Sequence, residues 1–290
     1  EIIQETRSRM EMMINQAGHQ VAMSRLSSYF SPAGKYTELT SGISFYHFLC
    51  DLEENFDSKS SDLVEKLERA IQLIFRKNSL TAGITLSEKD YPVFAEQFRS
   101  LAKRLSGEEN PSTPFPFHEK AYNEGLLTPS KIQYAAKGYS YARMGYSYRG
   151  TLQVWNRVRV QGGAYGVSVT FTRSGMMIFT SYRDPNLKET LEAYNGLADY
   201  LANFVADERE MKKYIIGTIS KLDAPLTPQM KGERSELYYF TGLTQEDIQK
   251  ERDEILATTA EDIKGLSSMA ADVLKKDYLC VVGGQGKIKQ

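Results

Sequence analysis

One pattern occurs twice in this sequence and constrains the fold more than any other feature. An apolar-periodic helical stretch opens on an acidic residue, ends on two basic residues and hands over almost at once to an apolar strand. It runs from Asp62-Leu63 to Arg76-Lys77 and into Asn78-Ser79-Leu80. Roughly 200 residues later it runs from Glu261-Asp262-Ile263 to Lys275-Lys276 and into Asp277-Tyr278-Leu279-Cys280-Val281-Val282. The duplication predicts two α+β units built alike. Residues 119–290 would form one nearly complete unit, residues 1–110 only the later part of another, and the chain would be a piece of something longer. Between them, Ser106-Gly-Glu-Glu-Asn-Pro-Ser-Thr-Pro114, with Pro116 close behind, combines turn formers, charge and prolines and marks the boundary.

Bulk properties narrow the function classes. At 290 residues, 41 % hydrophobic and 25 % charged, the chain is long enough for a large core and has a globular composition. A formal net charge of -1 argues against a nucleic-acid footprint. Two cysteines, Cys50 and Cys280, suggest neither a disulfide framework nor a thiolate metal site, and point to a reducing compartment. No apolar run reaches membrane-spanning length, and Glu1 to Arg9 lacks a signal-peptide core, so no membrane partner is expected.

Local patterns then place the elements. Ile2–Tyr29 reads as one long helix, broken at Ser31-Pro32-Ala33-Gly34; Gly42–Leu52 reads as a helix whose Phe45, Tyr46 and Phe48 pack inward. Asp62 with Glu65 reads as a capping box, Ser79–Leu86 as a strand, and Lys89–Leu105 as a helix. A strand is expected around Ile132, Tyr134 and Ala136, a helix over Tyr148–Val160, and a hairpin of Ala164–Thr172 with Met176–Tyr182 about Arg173-Ser174-Gly175. Asp184-Pro185 opens an amphipathic helix through Leu187, Leu191, Tyr194, Leu197, Leu201 and Phe204; Asp207 with Glu210 boxes the next. The charges of Asp247–Glu254 read as a solvated helix face.

The stretch Gln161-Gly-Gly-Ala-Tyr-Gly166 is the strongest candidate for chemistry. Its paired glycines, Gly162 and Gly163, allow close approach of backbone or ligand, and Arg159 and Tyr165, six residues apart, could bring a guanidinium and a phenol to one carbonyl oxygen gaining charge. Equally, the glycines could serve packing alone and Arg159 a surface ion pair. His19, His47 and His118 stand far apart with no helical zinc spacing, and read as packed or solvated. Gly283-Gly-Gln-Gly-Lys287 fails as a phosphate loop, because Val281 and Ile288 stand where a glycine and a hydroxyl are needed. No nucleophile elbow is present.

Five runs carry a family resemblance: His19-Gln-Val-Ala-Met-Ser-Arg-Leu-Ser-Ser-Tyr-Phe-Ser-Pro-Ala-Gly34, Gly42-Ile-Ser-Phe-Tyr-His-Phe-Leu49, Asn123-Glu-Gly125, Arg159-Val-Gln-Gly-Gly-Ala-Tyr-Gly166 and Ser181-Tyr-Arg-Asp-Pro-Asn186. In that order they resemble the C-terminal half of the presequence-protease branch of the insulinase/pitrilysin zinc peptidases. The resemblance implies two α/β sandwich units of mostly antiparallel sheet covered by helices, the first incomplete. Residues 1–110 would be the end of a third domain with a preceding linker helix, and 119–290 a fourth, non-catalytic domain. It further implies an oligopeptide-degrading chamber enzyme whose zinc is bound by an N-terminal half, with no metal in this chain. Tyr165 would be the oxyanion donor and Arg159, chosen over Arg157 by its spacing, would orient substrate together with Gly162 and Gly163. The partners would be that N-terminal half and unstructured peptides, in a bacterial cytoplasm or an organelle matrix. A scaffold or peptide-binding member of the same superfamily is the alternative reading.

Overall fold

The computed structural model describes residues 1–108, 113–129, 131–155 and 168–288. Its elements begin with α1 (Ile2–Gln16), α2 (Gly18–Phe30), α3 (Pro32–Ser41), α4 (Ile43–Glu54), α5 (Phe56–Ile74) and α6 (Tyr91–Ala102). There follow β1 (Glu124–Thr128), β2 (Tyr134–Ser140), α7 (Thr151–Trp155), β3 (Ser168–Phe171) and β4 (Met176–Thr180). The chain continues through α8 (Leu187–Asn195), α9 (Leu197–Ala202), α10 (Glu208–Leu222), α11 (Pro228–Thr241) and α12 (Gln245–Ala257). It ends with α13 (Ala260–Lys264), α14 (Ser267–Lys275), β5 (Leu279–Gly284) and α15 (Gln285–Ile288).

The architecture is the α+β class expected, with one mostly antiparallel sheet in the order β1-β5-β2-β4-β3. Among the described strand pairs of this sheet, only β1–β5 is parallel. These strands belong to the first of two compact units, formed by Glu1–Glu53, Phe115–Asp223 and Gln249–Gln290. β2 is buried at every position, so helices cover both faces of the sheet, and α2, α8 and α14 all pack against this middle strand. The core holds Trp155, Tyr29, Tyr134, Tyr141, Tyr194, Phe30 and Phe179, all essentially without solvent contact.

The long first helix divides in two. Ala17 leaves helical geometry at φ -124° and ψ 39°, ending α1 and starting α2. A Cβ on Gly18 would lie 2.3 Å from Cδ2 of Tyr134, so only glycine lets α2 approach β2 this closely. The break after it is also a beginning, since Ser31 accepts from the amide of Gly34 and, with Pro32, opens α3. On α4 the inward face is Ile43, Leu49 and Leu52, not the aromatics; Phe48 is exposed because the helix is rotated to bury its aliphatic stripe.

Two other local signals come out as read and a third is shifted. Asp207 and Glu210 form both bonds of the capping box on α10, at 2.8 and 3.3 Å. The β3–β4 hairpin turns through Gly175 in the left-handed region, φ 87°. The amphipathic helix after Asp184-Pro185 is interrupted at Gly196 into α8 and α9, and its N-cap is Asn186.

Cys280, on β5, is fully buried, and that burial pushes its thiol up to about 12, whereas Cys50 on α4 is partly exposed. A thiol reagent at mildly alkaline pH should therefore label one cysteine per chain quickly and the other only on unfolding. Two fast thiols would contradict the placement of β5 inside the sheet.

The second unit comprises Glu54–Pro114 and Ala224–Ile248, with α5, α6 and α11. Here two expectations fail. Asp62 does not cap a helix: α5 already starts at Phe56, and Asp62 sits on its surface, pairing with Lys66 one turn on at 2.7 Å. Residues 79–86 form no strand. They carry the alternation of one, but a strand exists by pairing, and none of residues 81–86 makes a backbone hydrogen bond among the described residues.

Candidate functional site

Arg157, Arg159, Gly162, Gly163 and Tyr165 lie outside the described residues. What the structure shows is how the chain on either side of them is held. On the N-terminal side α7 buries Thr151, Leu152, Val154 and Trp155. On the C-terminal side β3 is the edge strand, with Ser168 Oγ and Thr180 Oγ1 in contact at 2.8 Å and Phe171 buried. The two sides meet where the Trp155 and Phe171 rings pack at 4.8 Å between centroids. Loss of either ring would remove a large buried apolar contact that fixes the exit of α7 against β3.

A buried acid braces the same region. Glu251 on α12, read from sequence as part of a solvated face, is buried; its carboxylate accepts from the Tyr148 hydroxyl and pairs with Arg173 in the β3–β4 turn. The Arg173 guanidinium also lies over the Tyr148 ring, 4.9 Å from its centroid. Gln153 Nε2 donates to the Tyr148 hydroxyl at 2.9 Å, and the Gly150 amide donates to Glu254 Oε2 at 2.6 Å. Burial, with the Glu251 carboxylate, drives the Tyr148 phenol well above its ordinary pKa, so it stays a neutral donor. Loop 145–150, α7, the hairpin and α12 are thereby tied into one frame. The Glu251–Arg173 partnership spans 78 residues of sequence, and no local pattern announces it.

The remaining conspicuous runs serve structure. Arg25 on α2 is the centre of a knot: Nη1 donates to Glu38 Oε1 at 3.0 Å and to Ser44 Oγ at 3.3 Å, and Nε donates to Glu124 Oε1 at 2.6 Å. The Ser44 amide also donates to Glu38 at 2.9 Å, and the Tyr29 hydroxyl to Glu124 at 2.9 Å. A Cβ on Gly42 would meet Glu38 Oε2 at 2.0 Å, so this glycine leaves room for the buried carboxylate. Asn123, at φ 45°, clasps the start of β5, donating to the Asp277 carbonyl at 2.8 Å and accepting from the Leu279 amide at 3.0 Å. In the Ser181–Asn186 run, Ser181 Oγ accepts from the Ala135 amide at 3.0 Å and buried Asp184 from the Asn186 amide at 2.8 Å, turning β4 into α8.

His19 is packed between the rings of Tyr134 and Tyr182, at 6.0 and 5.0 Å, and burial lowers its pKa. His47 and His118 are exposed. Among the described residues no group of three or more His, Cys, Asp or Glu is placed to hold a metal ion, so the donors present do not fit one. Nor, among those residues, is any helix long and apolar enough to cross a membrane.

Comparison with known proteins supplies a frame for the site. The family model of the PreP C-terminal domain matches residues 140–284, and a model for a peptidase-associated segment matches residues 1–52. Protein HypA of Clostridium perfringens is 41 % identical over 100 % of this chain and 31 % of its own length. Presequence protease 1, chloroplastic/mitochondrial, of Arabidopsis thaliana is 32 % identical over 97 % of this chain and 27 % of its own. The chain thus spans less than a third of the length of these relatives. The crystal structure of pitrilysin superposes with a TM-score of 0.47 and 13 % identity, over 70 % of this chain and 24 % of that one.

Proposed function

The chain belongs to the PreP C-terminal domain family, and from that premise we propose that it is the C-terminal part of the non-catalytic half of a zinc-dependent oligopeptidase, inactive alone. The observation that carries this reading is the family match over residues 140–284, which runs through the segment bearing Arg159 and Tyr165. In the proposed enzyme the N-terminal half of the same polypeptide holds zinc, which supplies Lewis-acid activation of water, and the two halves enclose unstructured peptides in a chamber. This chain's own contribution is to substrate and charge. Arg159 orients the peptide backbone, Gly162 and Gly163 let that backbone come close, and the Tyr165 phenol donates a hydrogen bond to the carbonyl oxygen as negative charge develops there. Residues 1–110 represent the later part of a third peptidase domain and residues 119–290 a fourth. A bacterial cytoplasm or an organelle matrix is the proposed setting.

The Glu251–Arg173–Tyr148 brace and the Trp155–Phe171 contact support the reading, because a group that must meet a developing charge gains from rigid flanks. The test is complementation. With zinc present, the 290-residue chain should leave a quenched fluorescent peptide intact, and mixing with the separately expressed remainder of the parent polypeptide should start its cleavage. Cleavage by this chain alone would overturn the assignment, as would silence of the mixture when the full-length parent is active and the two pieces are shown to associate.

A further inference from the structure

β1 ends the sheet on one side. Its inner edge pairs with β5, and among the described residues no backbone hydrogen bond reaches its outer edge. An edge of this kind is a template for another chain, and proteins usually blunt it with lysine, proline, a bulge or an inward charge. β1 itself carries none of the first three. Glu124–Thr128 contains neither lysine nor proline, its register with β5 is continuous, and Leu127 is 53 % exposed. The one charge, Glu124, is taken up by Arg25 and the Tyr29 hydroxyl.

A cavity of about 410 Å³ runs beside this edge, and Leu126 and Leu127 both line it. Consecutive strand residues point to opposite faces, so a cavity that touches both lies off the edge of β1 and not over one face of it. The other wall is formed by α1 and α4, which belong to the same compact unit as β1. There Ile14 and Ile43 supply apolar surface, and the Tyr46 hydroxyl donates to Glu11 Oε1 at 2.8 Å. Exposed Asn15 and His47 complete the wall; among the described residues no lysine or arginine lines the cavity, so Glu11 gives it a negative sign.

An occupant that satisfies the edge has to present amides and carbonyls in alternation at the strand repeat, which is what an extended peptide backbone does. The mixed lining suits an occupant that comes and goes. A strand buried for good is surrounded by apolar residues, whereas this wall sets two isoleucines beside a carboxylate, an amide and an imidazole. We propose that the outer edge of β1, with the cavity between it and helices α1 and α4, is a binding site for an extended peptide. The peptide adds as a further strand, lays an apolar side chain against Ile14 and Ile43, and brings a cationic group to Glu11. That such a peptide is a substrate of the parent rests on the functional reading above; the binding itself does not.

The probe is a fluorescently labelled peptide of about ten residues, alternating leucine and threonine with lysine at both ends, a length that spans one edge strand. Its anisotropy is followed against the full-length parent and against the 290-residue chain. Both should bind it, and exchange of the amides of residues 124–128 should slow when it is present. Methylating every second backbone nitrogen of the peptide removes the donors along one of its edges. One of the two possible methylated sets should weaken binding by about 10²-fold and the other should leave it, because only one edge of an added strand meets β1. Glu11→Lys should weaken binding of the lysine-ended peptide about fivefold and favour a peptide ended with glutamate. Equal effects of the two methylated sets overturn the proposal, as does unchanged exchange at 124–128 in the presence of peptide. So does a parent that fails to bind while 124–128 is already protected, which would give the edge to the parent's own chain. Self-association of the chain through 124–128 without peptide overturns it too. Binding by a parent that cleaves nothing sinks only the functional reading; cleavage without binding at β1 sinks this inference alone.

Discussion

Replacing Arg25 by Met is expected to destabilise the first unit by about 3–5 kcal/mol, the usual cost of removing one partner from a buried charge network. Glu38 is 0 % exposed and, among the described residues, its charge is met by the Arg25 guanidinium, beside the Ser44 amide and hydroxyl. Burial by itself would lower the Arg25 pKa, but the carboxylates of Glu124 and Glu38 outweigh it and hold the guanidinium above its ordinary value. Without Arg25 a carboxylate remains in the interior with two neutral donors, and α2, α3, α4 and β1 lose their common tie. The double variant Arg25→Met with Glu38→Met should recover most of the loss, because replacing a whole buried pair by apolar groups is often close to neutral. Thermal midpoints report the effect at about 2–4 °C per kcal/mol for a domain of this size. A single variant within about 1 kcal/mol of the parent would show that the knot behaves like a solvent-screened surface pair.

What could be read from sequence divides by the range of the interaction that decides it. The Asp207–Glu210 box and the hairpin at Gly175 are settled within four residues, and both stand where the pattern puts them. The split of the first helix falls beside Gly18, whose missing side chain makes room for Tyr134, a partner far along the chain, and helical periodicity continues across Ala17 and Gly18 regardless. Glu251 looks like one charge among many on α12 until Arg173 and Tyr148 fold onto it. Residues 79–86 show a further limit. Their alternation reports a strand's composition, but a strand needs a neighbour, and sequence pattern says nothing about whether the neighbour is present. At the candidate site the sequence offers a chemical proposal, Arg159 and Tyr165 at a spacing suited to a developing oxyanion. The brace that holds its flanking segments was illegible for the same reason as Glu251, since the ties of Glu251 to Tyr148 and Arg173 join segments distant in sequence.

Replacing Tyr165 by Phe in the full-length parent is expected to lower kcat by about 10²-fold, or about 2.7 kcal/mol of transition-state stabilisation, the usual consequence of losing one oxyanion donor. KM should change little, because the phenol is assigned to charge that exists only at the transition state; removing such an interaction lowers kcat and kcat/KM together. Arg159→Ala should behave differently. A residue that orients the substrate backbone acts in the ground state as well, so KM should rise along with a fall in kcat. Thermal midpoints serve as the control: both variants should unfold with the parent. Turnover of an unstructured peptide unchanged by Tyr165→Phe would remove Tyr165 from the mechanism. A rise in KM alone would reassign it to substrate binding, leaving the oxyanion without a donor from this half of the enzyme.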